Sequence, residues 1–294
     1  MVCYTAAVMS NYDVKSFQQA VKLFKKAVYN HKTQIKQIRK NYDDLLGTAV
    51  LPNNIDRQEV EIANIRADLL VPELAIGRKT ILYAHGGGFI SGSRYSARNL
   101  CASIAHETGC RLLLPEYRLS PEYPYPNALE DLYRSYNWLL KQDIPGNEIY
   151  FAGDGAGANL VLALTHYLHG KNVTLPGGII VLSPWTDIAC SGASFVSRKN
   201  PDPVFTRDIM HSQALQYTYE SNFSNPHVSP LRGDLSYFPP IFIQCGSMEI
   251  VAEDAKQLAQ KAAEAGIPVS LDICDGMWHL FQAFDAITPK PRRR

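Results

Sequence analysis

From about residue 58 onward, short β-rich apolar runs at 60–70, 80–84, 112–114, 149–152, 179–182, 241–244 and 269–273 alternate with segments of helical character. Few folds are open to such a chain. Strands separated by helices pair in parallel, since each crossover helix returns the chain to the same end of the sheet. The later runs, IIVL and IFIQ, are apolar at consecutive positions, as strands covered on both faces require. The fold class implied is α/β, with a mostly parallel central sheet flanked by helices. Between 187 and 236 the alternation lapses into a polar, aromatic, Pro-containing stretch that reads as an excursion above the sheet. Upstream, 13–46 reads as helix: Val14, Phe17, Val21, Phe24, Val28, Ile35, Ile38, Tyr42 and Leu45 recur at helical spacing, with His31 as a packed side chain between them. The lysines opposite form a solvated face. The expected organisation is a helical cap segment over 1–50, an α/β core over 51–186 and 237–294, and a cap insertion over 187–236.

In an open α/β sheet, ligands bind beyond the carboxyl ends of the strands, so the loops after each strand hold the chemistry. Three are informative. After ILYA comes His85-Gly86-Gly87-Gly88-Phe89; after EIYFA comes Gly153-Asp154-Gly155-Ala156-Gly157, leading into an apolar helix; after the last strand comes Asp275-Gly276-Met277-Trp278-His279. The glycine cluster before a helix is not a dinucleotide fingerprint, because it lacks the final G-x-x-G spacing and comes mid-chain rather than opening the fold. A G-x-[nucleophile]-x-G turn preceded by H-G-G-G and followed by an acid and then a histidine is the order of the α/β-hydrolases.

These motifs, together with Tyr117-Arg118-Leu119-Ser120-Pro121-Glu122, Pro126, Ala128-Leu129-Glu130-Asp131, Ser183-Pro184-Trp185-Thr186-Asp187, Asp202-Pro203 and Ser229-Pro230-Leu231, make nearly the whole chain resemble the hormone-sensitive-lipase-like esterases, the H-G-G-G branch of that fold. The resemblance puts the nucleophile at position 155, the acid at Glu249 and the base at His279. Glu253 and Asp254 lie close by, but Glu249 alone sits three residues after Gly246, as in the family's G-S-x-E form. Where the family has G-D-S-A-G, this chain has G-D-G-A-G, so the attacking oxygen is missing.

The resemblance also implies the remaining roles. Backbone N–H groups of Gly87, Gly88 and Ala156 form the oxyanion hole, which needs no side chains. His85 braces the glycine loop, as Tyr117, Arg118, Trp185 and Asp187 brace theirs. Phe89, Val204, Phe205 and Trp278 are the expected lining of an apolar acyl pocket. The implied activity is hydrolysis of short or medium acyl esters, disabled at Gly155. Two histories fit: an active esterase altered at one position, or a natural ligand-binding relative, as the plant gibberellin receptors resemble this family.

Composition narrows the rest. Twenty-nine basic against 28 acidic residues give a net charge of +1, too little for a polyanion-binding surface, leaving only the basic helix and terminal 291–294 to favour nucleic acid. No run approaches the roughly 18 apolar residues of a membrane span, and the opening residues lack a signal-peptide pattern, so a cytoplasmic protein is expected. The six cysteines have no metal-ligand spacing and read as mostly buried thiols. The expectation is therefore no metal and no organic cofactor, a small-molecule ester as partner, and a monomer or homodimer. The family usually continues past the catalytic histidine with a long helix that contributes to dimer contacts, whereas here PKPRRR follows soon after.

Overall fold

The computed structural model describes residues 14–28, 30, 32–47, 51, 54–195 and 202–284; Cys3, His31 and the basic stretch 291–294 lie outside them. Eight strands, β1 (Ile55–Ile62), β2 (Ile65–Pro72), β3 (Thr80–Ala84), β4 (Arg111–Pro115), β5 (Ile149–Asp154), β6 (Gly178–Leu182), β7 (Ile241–Gly246) and β8 (Val269–Cys274), form one sheet in the order β1-β2-β4-β3-β5-β6-β7-β8. β1, β2 and β4 pair antiparallel, and all other pairings are parallel. Successive strand side chains take opposite faces. Ile81, Tyr83, Leu112 and Leu114 pack on α3 (Arg94–Thr108), while Leu82, Ala84, Leu113 and Phe151 share a core with α4 (Asn127–Lys141) and α5 (Ala156–Gly170). β3 is accordingly buried at all five positions.

The topology fixes where a ligand can enter. The chain leaves β3 sideways to β4, then crosses back to lay β5 on the other flank of β3. The crevice at such a reversal lies beyond the carboxyl ends of the two strands, here Ala84 and Asp154, where the two glycine loops begin. α5 starts at that point and is buried almost all round, as expected of a helix apolar on every side. α7 (Ala252–Glu264) packs on β7 and β8.

Two expectations need correction. The helix read across 13–46 is a helical hairpin, α1 (Val14–Ala27) and α2 (Ile35–Leu46). Asn30 opens the break: its side chain accepts from Lys32 N at 3.0 Å and donates to Val28 O at 3.4 Å, offering the backbone local partners in place of helical ones. Phe24 then meets Tyr42, and Asn41 donates to Lys26 O, as antiparallel helices demand. The run 60–70 is likewise not one strand but part of the β1–β2 hairpin, reversed at Ala63-Asn64 with φ of +48° and +69°. Two-residue turns of that hand normally advertise themselves with glycine, which is absent here.

Above the sheet, Phe24, Ala27, Val28 and Tyr42 of the hairpin form one cluster with Val204 and Leu280, joined by Phe205 and by Ile209 of α6 (Arg207–Tyr217). Residues of the 187–236 segment thus pack directly on the N-terminal helices.

Candidate active site

Gly155 joins β5 to α5 at φ +51°, ψ −114°, a conformation costly for any L side chain. Three backbone hydrogen bonds hold it there: its N–H donates to Leu182 O at 3.0 Å, and its carbonyl accepts from Trp185 N and Asn159 N. The sharp turn points position 155 outward from the sheet, toward the loop after β8. A Cβ placed on Gly155 would stand 3.3 Å from His279 Nε2 and 3.6 Å from its Cε1.

His279 presents that nitrogen because its other one is occupied. Nδ1 lies 3.0 Å from Glu249 Oε2, while Glu249 Oε1 accepts from Ser183 Oγ at 2.8 Å and from Gly246 N at 2.5 Å. Ser183 Oγ in turn accepts from Leu280 N, tying the histidine loop to the acid. Burial alone would lower the His279 pKa, but the hydrogen bond it donates to Glu249 and the charge of that carboxylate outweigh it, with Asp202 and Asp154 adding to them, and the net shift is upward. Ser183 was not singled out as a site residue; its signal was a place in the Ser-Pro-Trp-Thr-Asp motif. Asp202 similarly links elements, accepting from Val204 N, Phe205 N and Ile250 N, so that it clips the inserted segment to the acid loop.

Gly87, Gly88 and Ala156 face the same cavity as Gly155 and His279. Among the described residues, none of their N–H groups donates to another protein group, which leaves three donors converging on the cavity at the start of a helix. His85 stands behind them, buried, stacked on Tyr117 at 4.2 Å between ring centroids, with Nδ1 2.8 Å from Gly86 O. Tyr117 Oη donates to His85 O, and Asp154 Oδ1 accepts from Tyr83 Oη and Gly86 N. These contacts fix the glycine loop. They give His85 no route to the cavity, whose lining does not include it.

The cavity is narrow, its ≈ 470 Å³ of empty space including the part open to solvent, and it is mostly apolar, walled by Phe24, Ala27, Val28, Trp185, Phe205, Met210, Ile250 and Val251, with Tyr42, Ser91 and Gln213 as further polar side chains. Of the four aromatic and aliphatic residues expected there, only Phe205 lines it. Its neighbour Val204 is buried within the cluster with Tyr42 and Leu280 and does not reach the lining. Phe89 stacks on Tyr217 at 3.9 Å and Trp278 packs near Phe284, and neither lines the cavity. The contributions of Phe24 and Tyr42 were legible only as positions in an amphipathic stripe.

A family model described as the alpha/beta hydrolase fold matches residues 81–283. The chain is 36% identical over 234 residues to an acetyl-hydrolase of Streptomyces hygroscopicus, covering 80% of this chain and 78% of that one. It is 32% identical over 247 residues to an esterase of Acinetobacter venetianus, covering 83% and 81%. Among solved structures, an esterase from the bacterial hormone-sensitive lipase family superposes with a TM-score of 0.88 at 31% identity, covering 96% of this chain and 94% of that one.

Proposed function

Because this chain belongs to the hormone-sensitive-lipase-like branch of the α/β-hydrolase family, we propose that it is a carboxylic-ester hydrolase stripped of its nucleophile, able to bind an ester and polarise its carbonyl but not to form an acyl-enzyme. The observation that carries this reading is the 3.3 Å between a Cβ at position 155 and His279 Nε2. A serine hydroxyl there would lie within reach of the base. Its oxygen would attack the ester carbonyl as His279 takes the proton; Glu249 would hold the imidazole tautomer, and the N–H groups of Gly87, Gly88 and Ala156 would receive the oxyanion. Collapse would expel the alcohol with the proton from His279, and water would then release the acid by the same steps. With glycine in place, only direct attack by water remains. Loss of a triad member leaves about 10³- to 10⁴-fold catalysis over water from the oxyanion hole and binding.

The retained base, acid and oxyanion loop favour an esterase altered at one position, since a site without chemistry has no use for the Glu249–His279 pair. One observation favours the other history, a ligand-binding relative: glycine relieves the strain of the φ +51° turn. In either case the α1–α2 hairpin and segment 187–236 act as the cap, and the ligand is a small ester with a short or medium acyl chain. The reading needs neither metal nor organic cofactor. A cytoplasmic monomer or homodimer belongs to the same reading; separately, among the described residues no helix is long and apolar enough to cross a membrane.

The test is hydrolysis of p-nitrophenyl acetate and butyrate by the native chain, by Gly155→Ser, and by Gly155→Ser with His279→Ala. The serine variant is expected to turn over rapidly with an acyl-enzyme burst that the histidine change abolishes. Binding without any gain of turnover in the serine variant would move the assignment to a ligand sensor.

A further inference from the structure

Gln213 lies on the inward face of α6, in step with Met210, Ala214 and Tyr217, where the helical period calls for an apolar residue. It is only 4% exposed. Its amide lies flat over the glycine loop: a Cβ on Gly88 would stand 2.5 Å from Gln213 Nε2 and 2.8 Å from Oε1. Gly88 has φ +63°, so glycine there suits both its backbone and the amide above it.

Among the described residues the Gln213 amide makes no hydrogen bond, and although the side chain as a whole is buried it lines the cavity, so its donors and acceptor are open to whatever occupies that space. Two polar groups lining the same cavity are committed elsewhere. Ser91 Oγ donates to Gly87 O at 2.8 Å, and His279 Nε2 faces Gly155. The amide occupies the direction of Gly88's absent side chain rather than that of its N–H, so it flanks the oxyanion hole instead of extending it. An ester whose carbonyl oxygen enters that hole brings its nearest substituents against Gln213.

We propose that Gln213 is a specificity-determining residue that hydrogen-bonds an oxygen substituent of the ester, a hydroxyl or oxo group two to four bonds from the scissile carbonyl carbon. This rests on the ester-hydrolase reading above. The substituent belongs to the acyl group or to the alcohol, and two matched pairs of probes separate these sources. Phenyl glycolate against phenyl propionate exchanges hydroxyl for methyl on the acyl side; 2-hydroxyethyl acetate against propyl acetate does so on the alcohol side.

In the Gly155→Ser background, the kcat/KM ratio of oxygenated to hydrocarbon ester is measured with and without Gln213→Met, so that intrinsic reactivity cancels. The ratio is expected to fall about tenfold in one pair on loss of the amide, as one hydrogen bond to a buried group implies. A change below about twofold in both pairs, or an equal loss for every ester, overturns the proposal. Should the serine variant hydrolyse nothing, the ester-hydrolase reading fails, and calorimetric binding of the same four esters to the native chain and its Gln213→Met variant decides the role of Gln213 by the same ratio. Gln213→Leu replaces the methionine variant if that one does not fold.

Discussion

A serine at position 155 has to adopt φ +51°, ψ −114°, because hydrogen bonds on both sides fix the turn whatever the side chain. Strain of that kind costs on the order of 1–3 kcal/mol, and the new Cβ would press on His279 at 3.3 Å. Gly155→Ser is therefore expected to unfold more easily than the native chain by about that amount in urea titrations, while gaining activity. Its pH profile follows from the upward shift of His279, which Glu249 produces against the effect of burial. A general base works only when neutral, so activity should rise with pH and reach half its maximum above about 6.5, the ordinary histidine value. The stability linkage runs the other way: a raised histidine pKa stabilises the fold fully below the unfolded value, and that contribution fades as pH climbs through the folded one. Replacing Glu249 by Gln should shift the activity limb downward in pH and lower kcat by orders of magnitude, about 10⁴ in the analogous Ser-His-Asp case. A profile unmoved by Glu249→Gln would sink the assignment of the acid.

The elements proposed as the cap contribute much of the cavity wall and so should set what it admits. Phe24 of α1 is buried, packed edge-to-face on Phe205 at 5.7 Å and tilted against His279 at 6.3 Å. Phe24→Ala should cost about 3 kcal/mol, the low end for a buried Phe, because the site opens into an existing cavity. In the serine background it should shift preference from acetate toward longer acyl esters, as read by kcat/KM across a p-nitrophenyl series. At this scale the sequence was only partly legible. Apolar spacing revealed the α1–α2 stripe, but the break at Asn30 rests on side-chain hydrogen bonds that periodicity does not register. The Ala63-Asn64 reversal escaped for a related reason, since neither residue is the glycine that usually marks such a turn. Gln213 is another case: one polar residue on an inward helical face becomes informative only when the opposing surface, Gly88, is known.

Across the whole molecule, the order of motifs was the strongest guide, because topology turns sequence order into spatial convergence. Three loops separated by some 190 residues meet at one end of the sheet, with Glu249 and His279 arriving from the loops after the last two parallel strands. The H-G-G-G loop and the Glu249–His279 pair were named as candidates by motif alone. The acyl wall was not, since it depends on which way neighbouring side chains turn. The antiparallel edge is tied to the body by a buried cluster in which Asp68 of β2, fully buried, accepts from Arg57, Arg94 and Arg98. Asp68→Ala should cost about 3 kcal/mol by leaving guanidiniums without their buried counter-charge. That is the low end of the range, because Glu59 and Glu116 still contact Arg94. Denaturant titration would measure it, with little effect expected on ester kinetics in the serine background.

The turn at Gly155 has one more consequence. If the proposed base, acid and oxyanion donors act as assigned, they surround a position with no attached oxygen, so any nucleophile must arrive from solution, and methanol is small enough to do so. The second-order rate of methanolysis by the native chain, set against the first-order acylation rate of Gly155→Ser, yields a ratio in units of concentration. That ratio is the effective molarity of the tethered hydroxyl, and well-oriented intramolecular reactions reach about 10⁵ to 10⁸ M. A single glycine thus supplies the untethered reference reaction for this active site.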